Sequence, residues 1–253
     1  MSSAENMQTN QSSLDLEDWN KIAEHYTTND GYDDPTQNPM YLQLKDALWE
    51  SLGDLNGLRV LDLGCGHGWL SDLMHAMGAH VLGIDGSDKL LEHARSRYPD
   101  IEFVQADLAL GIPSQGQKFD RIVSTMVLMD IPDLGPLLRD ISKRLVRTGR
   151  FIFVILHPCF FQYKIHFDEA ADVWYRKVSN YQDAQVWRID SFGGHNHYHR
   201  NLTYYTELLR INDLAITRLY EPEWNPQPES ENAHVVRRWP ICLFVEARPW
   251  VMP

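Results

Sequence analysis

The sequence predicts a doubly wound α/β fold, with a mostly parallel seven-stranded sheet, N-terminal helices and an inserted lid. Three observations predict it. From residue 60 to residue 156, short apolar runs alternate with stretches of helical periodicity. The first run, Val60-Leu61-Asp62-Leu63, passes directly into a glycine-rich turn, Gly64-Cys65-Gly66-His67-Gly68. Two more apolar runs, at 215–220 and 241–247, follow after a long aromatic stretch that breaks the alternation.

Taken in order, residues 1–13 are rich in Ser, Asn and Gln and predict a disordered tail, leaving 14–253 as a single domain. Trp19, Ile22, Ala23 and Tyr26 recur at helical spacing, as do Leu44, Ala47, Leu48 and Leu52. A polar turn, Asn29-Asp30-Gly31-Tyr32-Asp33-Asp34-Pro35, separates these two helices. After the glycine turn, Leu70, Leu73, Met74 and Met77 mark a helix, His80–Asp85 a strand, and Ser87–Tyr98 a helix with Ser87 as N-cap. Ile101–Ala106 and Phe119–Ser124 are strands, Leu134–Val146 is a helix closed by Gly149, and Arg150–Leu156 is a strand. Such alternation implies right-handed crossovers and parallel pairing. Residues 158–200 are too long for a structureless loop and predict an insertion with structure of its own. Leu202–Ile211 gives a last helix, and Ala215–Tyr220 and Ile241–Ala247 give two closing strands, read as an antiparallel pair.

Composition narrows the function. With 253 residues, 43% hydrophobic and 23% charged, the chain describes an ordinary globular protein. Its net charge of −12 would repel a phosphate backbone, which argues against a nucleic-acid partner. No apolar stretch reaches membrane-spanning length, and the first residues carry no apolar signal region. Cys65, Cys159 and Cys242 are scattered and odd in number, which suits a reducing, cytoplasmic setting.

The glycine turn identifies the ligand by its spacing. A dinucleotide fingerprint places its third glycine five positions after the first, where this chain has Trp69. Here Gly64, Gly66 and Gly68 run i, i+2, i+4, with Asp62 two residues earlier. That pattern resembles motif I of the class I S-adenosylmethionine (SAM) methyltransferases. The resemblance implies a Rossmann-like methyltransferase fold and a pocket for SAM, released as S-adenosylhomocysteine. Asp85 ends the second strand, 21 residues after Gly64, where the family holds the ribose on an acidic residue. Gly86 follows it as a further cofactor residue. Asp107 ends the third strand and resembles the family's acceptor for the adenine amino group, with the Leu108 N–H beside it. Asp62 orders the turn or reaches the amino group of the methionine end, and Tyr26 resembles a tyrosine placed over its carboxylate. Met126, after the fourth strand, joins this set.

The acceptor belongs at the ends of the fourth and fifth strands, under the insertion. The fourth strand lacks the Asn/Asp-Pro-Pro-Tyr/Phe stretch of enzymes that methylate adenine or glutamine amides, which disfavours those substrates. Met129 offers an apolar, adaptable wall, and Tyr32 is a candidate substrate contact. His157, ending the fifth strand, is the candidate general base, set against a bare strand-end role. His195, His197 and His199 would share one face of an extended segment, but no carboxylate or cysteine pattern supports a metal. His199 is therefore a candidate catalytic group, with Tyr198 and Arg200 approaching substrate and Arg200 able to clamp a carboxylate.

His157-Pro158, Tyr198-His199-Arg200-Asn201, Glu221-Pro222 and Arg237-Arg238-Trp239-Pro240 together resemble a small-molecule branch, the type 11/25-like methyltransferases. Asn201 departs from the Thr or Pro usual there, and Asn212-Asp213-Leu214 replaces an expected Gly and Phe. The reading is therefore an enzyme that methylates an O or N atom of a small, aromatic or carboxylate-bearing metabolite, with a homodimer left open. Two alternatives stand beside it: a non-catalytic SAM-binding partner subunit, and a nicotinamide-dependent oxidoreductase.

Overall fold

The computed structural model describes residues 3–28, 39–113, 116–161, 165–190, 194–223 and 239–250. Its centre is a seven-stranded sheet in the order β10-β11-β5-β4-β1-β2-β3. These are β1 (Arg59–Leu63), β2 (His80–Asp85), β3 (Glu102–Gln105), β4 (Phe119–Thr125), β5 (Leu145–Leu156), β10 (Leu214–Tyr220) and β11 (Cys242–Pro249). β1 pairs in parallel with both β2 and β4, β2 with β3, and β4 with β5, while β11 runs antiparallel to both β5 and β10. Chain order thus reverses across the β1–β4 boundary, and in doubly wound sheets a ligand crevice opens at that point.

Helices α2 (Pro39–Leu52), α3 (Trp69–Ala76), α4 (Asp88–Arg97), α5 (Gly135–Arg144) and α6 (Leu202–Ile211) cover the sheet. Alternate strand residues feed two cores. Leu61, Leu63, Ile122 and Phe153 pack beneath α5 and α6, and Val60, Val123, Ile152 and Val154 pack beneath α2, α3 and α4. The caps follow local chemistry. Ser87 Oγ accepts from the Leu90 N–H at 3.2 Å, as its sequence position predicts. Asn201 accepts from the Tyr204 N–H at 2.9 Å and caps α6, which accounts for an asparagine at the place where the branch usually differs.

Two expectations are corrected. Helix α1 (Ser3–Thr28) begins inside the segment read as a disordered tail. Ser12 and Asp15 in it are buried, because tertiary contacts override a composition that alone would not hold a helix. Gly149 does not close a helix: α5 ends at Arg144 and β5 starts at Leu145. Gly149 lies instead within β5, opposite a slip in the β4–β5 register between Phe119 and Arg121. The inserted region carries two hairpins, β6 (Ile165–Asp168) with β7 (Val173–Arg176), and β8 (Gln185–Ile189) with β9 (His195–His199).

Candidate functional site

At the reversal point the turn after β1 bends back through Gly64 (φ 70°) and Gly66 (φ 55°), left-handed conformations that favour glycine. The Gly64 N–H donates to Ile84 O at 2.7 Å, and the Gly66 N–H donates to Asp85 Oδ2 at 2.8 Å. The Ser87 N–H donates to Asp85 Oδ1, also at 2.8 Å. Asp85 is therefore locked against the glycine turn with its carboxylate pointing along the crevice. Gly68 plays a different part. A Cβ there would lie 2.8 Å from Phe103, so Gly68 lets α3 sit against β3, and it lines neither opening described below.

Two connected spaces open over this turn. The smaller, a recess of about 120 Å³, is lined by Gly64, Gly66, Asp85, Gly86, Asp107 and Leu108, with α1 as its roof. Leu16 of α1 packs where a Cβ of Gly86 would sit, at 2.2 Å. Ser12 donates to Asp107 Oδ1 at 2.7 Å, and that oxygen also accepts from the Ala109 N–H at 2.9 Å. The larger space, about 350 Å³, runs on past Asp62, Thr125 and Met126 between Trp19, Tyr41, Trp69 and Phe161. Trp19, Gly64, Gly66, Thr125, Met126 and Asp130 line both and form the junction. Met126 holds φ 61°, a left-handed backbone rare outside glycine, of the kind that clusters at functional sites.

The electrostatics of the lining are one-sided. Burial pushes Asp62 up to about 7, against the Ser71 hydroxyl that donates to it at 2.6 Å, with Asp85 adding to the rise. Burial also raises Asp85, opposed by the backbone N–H groups of Ser87, Gly66 and Gly86. Asp130 is raised well above the ordinary carboxylate range by burial, Arg200 opposing. Among the described residues, no Lys or Arg lines either space. Burial thus favours the neutral form of all three acids, and a cation bound beside them would restore the carboxylate form, so the site favours a cationic ligand.

Several sequence candidates land elsewhere. His157 is buried and does not line the cavity. Its Nδ1 accepts from the Cys159 N–H at 3.1 Å, which leaves Nε2 to donate to Glu221 Oε1 at 2.7 Å. Both ring nitrogens are thus engaged in holding the end of β5, which removes His157 as a base facing the crevice. His199 is likewise outside the lining: its Nε2 meets Tyr181 O at 3.1 Å and its ring stacks on Trp187 at 4.7 Å. Arg200 is buried, with its guanidinium donating to Leu128 O, Ile131 O and Pro132 O. It braces the loop carrying Met129 and Asp130 and lines neither space, so it does not face a substrate as the sequence suggested. The Tyr198 hydroxyl donates to Asp15 Oδ2 at 2.5 Å and ties β9 to α1 rather than facing the cavity. Met126 and Met129 do line the cavity. The side chain of Tyr26 and the whole of Tyr32 lie outside the described residues.

Residues that sequence reasoning missed complete the cavity. Trp19, Tyr41, Trp69, Phe161, Asp130 and His195 all line it. The rings of Trp19 and His195 lie 4.8 Å apart, tilted at 35°, so α1 and β9 meet at the cavity. Only the alternate spacing of His195, His197 and His199 hinted at this. His197 and His199 spend that face on stacking with Trp187.

Comparison with known proteins fits this geometry. A family model described as a methyltransferase domain matches residues 60–149, from β1 to the start of β5. Among similar curated proteins, the demethylmenaquinone methyltransferase of Lactococcus lactis is 34% identical over 136 residues, covering 50% of this chain and 52% of that protein. The ubiquinone biosynthesis O-methyltransferase of Rhizobium johnstonii is 36% identical over 109 residues, 42% of this chain and 43% of that one. The chain thus spans about half the length of the curated relatives it matches. The crystal structure of an S-adenosylmethionine-dependent methyltransferase from Mesorhizobium loti superposes with a TM-score of 0.69 at 30% identity, covering 81% of this chain and 97% of that one.

Proposed function

This chain belongs to the S-adenosylmethionine-dependent methyltransferases, and on that premise we propose that it methylates an oxygen or nitrogen atom of a small-molecule metabolite. SAM, the family's cofactor, supplies an electrophilic methyl group on a sulfonium. The residues present fit it. The observation that carries the reading is the junction of a recess floored by Gly66 and Asp85 with a cavity lined by no Lys or Arg among the described residues. A Cβ on Gly66 would meet no protein atom within 4 Å, so the open side of the turn is left for a ligand. Asp85 would take the ribose hydroxyls, Asp107 and the Leu108 N–H the adenine edge, and Asp62 the amino group of the methionine end. Gly64, Gly86 and Met126 would contact the cofactor through the walls of the recess.

The charge of the lining supports SAM over a nicotinamide dinucleotide. A sulfonium and an ammonium would draw these buried acids back to the carboxylate form and pair with it, a gain that a pyrophosphate cannot make. An intact pocket with a roofed acceptor cavity supports catalysis over a non-catalytic partner role. The net charge of −12 supports a partner list without nucleic acid. No helix among the described residues is long and apolar enough to cross a membrane. The three free cysteines suit a reducing, cytoplasmic setting, and size-exclusion chromatography tests the homodimer.

Calorimetric titration with S-adenosylhomocysteine, with NADH as comparator, tests the cofactor. Micromolar binding of the first alone is expected, and binding of NADH alone overturns the reading. Incubating metabolite extracts with methyl-labelled SAM then tests transfer.

A further inference from the structure

Among the described buried polar groups of the crevice, Thr125 Oγ1, Asp130 Oδ1 and His195 Nδ1 have no hydrogen-bond partner and belong to residues lining the same cavity. His195 is 9% exposed and its Nδ1 is unpartnered; Asp130 is 9% exposed and its Oδ1 is unpartnered. His195 Nε2 and Asp130 Oδ1 are 4.0 Å apart, beyond a hydrogen bond but in reach once a ligand draws the site together. A buried polar group left without a partner costs roughly 1–3 kcal/mol, so a cluster of them on one cavity points to a ligand that satisfies them, and only His195 and Asp130 among them can move a proton. The walls around them are the rings of Trp19, Tyr41, Trp69 and Phe161, which favour a flat guest.

We propose that the cavity takes a planar aromatic acceptor whose hydroxyl is received by His195, with Asp130 holding the imidazole from its other side. This rests on the methyltransferase reading and names the substrate class and proton acceptor for it. His195 takes the hydroxyl proton as the new oxygen–methyl bond forms and the sulfur–methyl bond breaks, and the thioether product leaves neutral. The positive charge lost at sulfur reappears on the imidazolium. Trp19, whose ring lies 4.8 Å from the imidazole at a tilt of 35°, favours the charged form, and the imidazolium in turn favours ionisation of Asp130, which burial otherwise holds neutral. The other charged groups around His195 are Arg188 on β8, Asp18 on α1 and His197 on β9. Burial and Arg188 keep His195 neutral at rest, Asp18 opposing, and a neutral imidazole is the form that accepts a proton.

The test uses the full chain saturated with S-adenosylhomocysteine, and 2-naphthol against its methyl ether, 2-methoxynaphthalene. Both are flat, and only the naphthol can donate a hydrogen bond. Wild type is expected to bind the naphthol at least about tenfold more tightly than the ether, as one buried hydrogen bond provides. In His195→Ala that ratio falls to about one. Fluorescence gives a second readout: excited 2-naphthol releases its proton to a base in contact, so naphtholate emission from the bound probe should vanish in His195→Ala. Asp130→Asn should lower that emission while leaving the probe bound. Binding of S-adenosylhomocysteine by each variant shows that it has folded. A naphthol preference or naphtholate emission that survives in His195→Ala overturns the role of His195. Failure of both probes to bind while S-adenosylhomocysteine binds overturns the aromatic acceptor class. Failure of wild type to bind S-adenosylhomocysteine overturns the underlying methyltransferase reading instead.

Discussion

Ser12 of α1 donates a 2.7 Å hydrogen bond to Asp107 Oδ1 at the end of β3, joining residues 95 positions apart across the mouth of the cofactor recess. Around it, Ser87 Oγ donates to Asn20 Oδ1 at 2.7 Å, and Leu16 packs on Gly86. The first helix is therefore a roof fastened to the strand ends that would carry ribose and adenine. Ser12→Ala removes one fastening, worth about 1 kcal/mol net. Stopped-flow release of S-adenosylhomocysteine should accelerate roughly fivefold, with a smaller change in the association rate. Unchanged release would show that α1 does not hold the ligand in.

Two glycines separated by one residue should behave oppositely. A Cβ on Gly64 would lie 2.2 Å from Val127 Cγ2, inside the packed wall, whereas one on Gly66 meets nothing. Gly64→Ala should lower the melting temperature by several degrees, since a clash and a left-handed alanine together cost about 2–4 kcal/mol. Gly66→Ala pays only the backbone strain, about 1 kcal/mol, yet should weaken S-adenosylhomocysteine by at least tenfold because the methyl enters the ligand's space. If Gly66→Ala binds as tightly as wild type, the ligand does not cross this turn.

How much of this was legible in the sequence depends on how local the signal is. The glycine turn, the Asp85 and Asp107 strand ends and the Ser87 cap are each set by neighbours in the chain, and periodicity locates them. Asp130, Trp19 and His195 come from three distant elements, and only the packing of α1 against β9 brings them to one cavity. Residue type misled in the same region. His157, His199 and Arg200 have the chemistry of site residues, but burial forced each to satisfy its polar atoms with Glu221, Tyr181 O and the 128–132 carbonyls.

His157 gives a direct check on that correction. It is a brace, so His157→Ala should destabilise the fold by roughly 1–3 kcal/mol in denaturant titration, by orphaning the Cys159 N–H and losing the Glu221 contact. S-adenosylhomocysteine affinity should stay within about twofold of wild type. Methyl transfer by the folded fraction should keep the pH profile of wild type, and loss of the acidic limb from that profile would restore His157 as a base.

Two buried groups should tilt the pH dependence of stability in opposite directions. His197, stacked on Trp187, is pushed down to about 4 from its ordinary 6.5, chiefly by burial, with His195, His199 and Arg200 adding to it. Its folded pKa lies below its unfolded one, so its contribution is complete above about pH 6.5 and drains away as pH falls towards 4. Between pH 7 and pH 5 the loss is about 2 kcal/mol. Asp62 is pushed up to about 7 from 3.8, so the folded state takes its proton first and acidification over the same interval adds about 2 kcal/mol. In chemical denaturation, His197→Phe should gain stability relative to wild type as pH falls from 7 to 5. Asp62→Asn should lose it over that range by a similar amount. Slopes of the same sign in the two variants would mean that one of these groups is not titrating from a buried site.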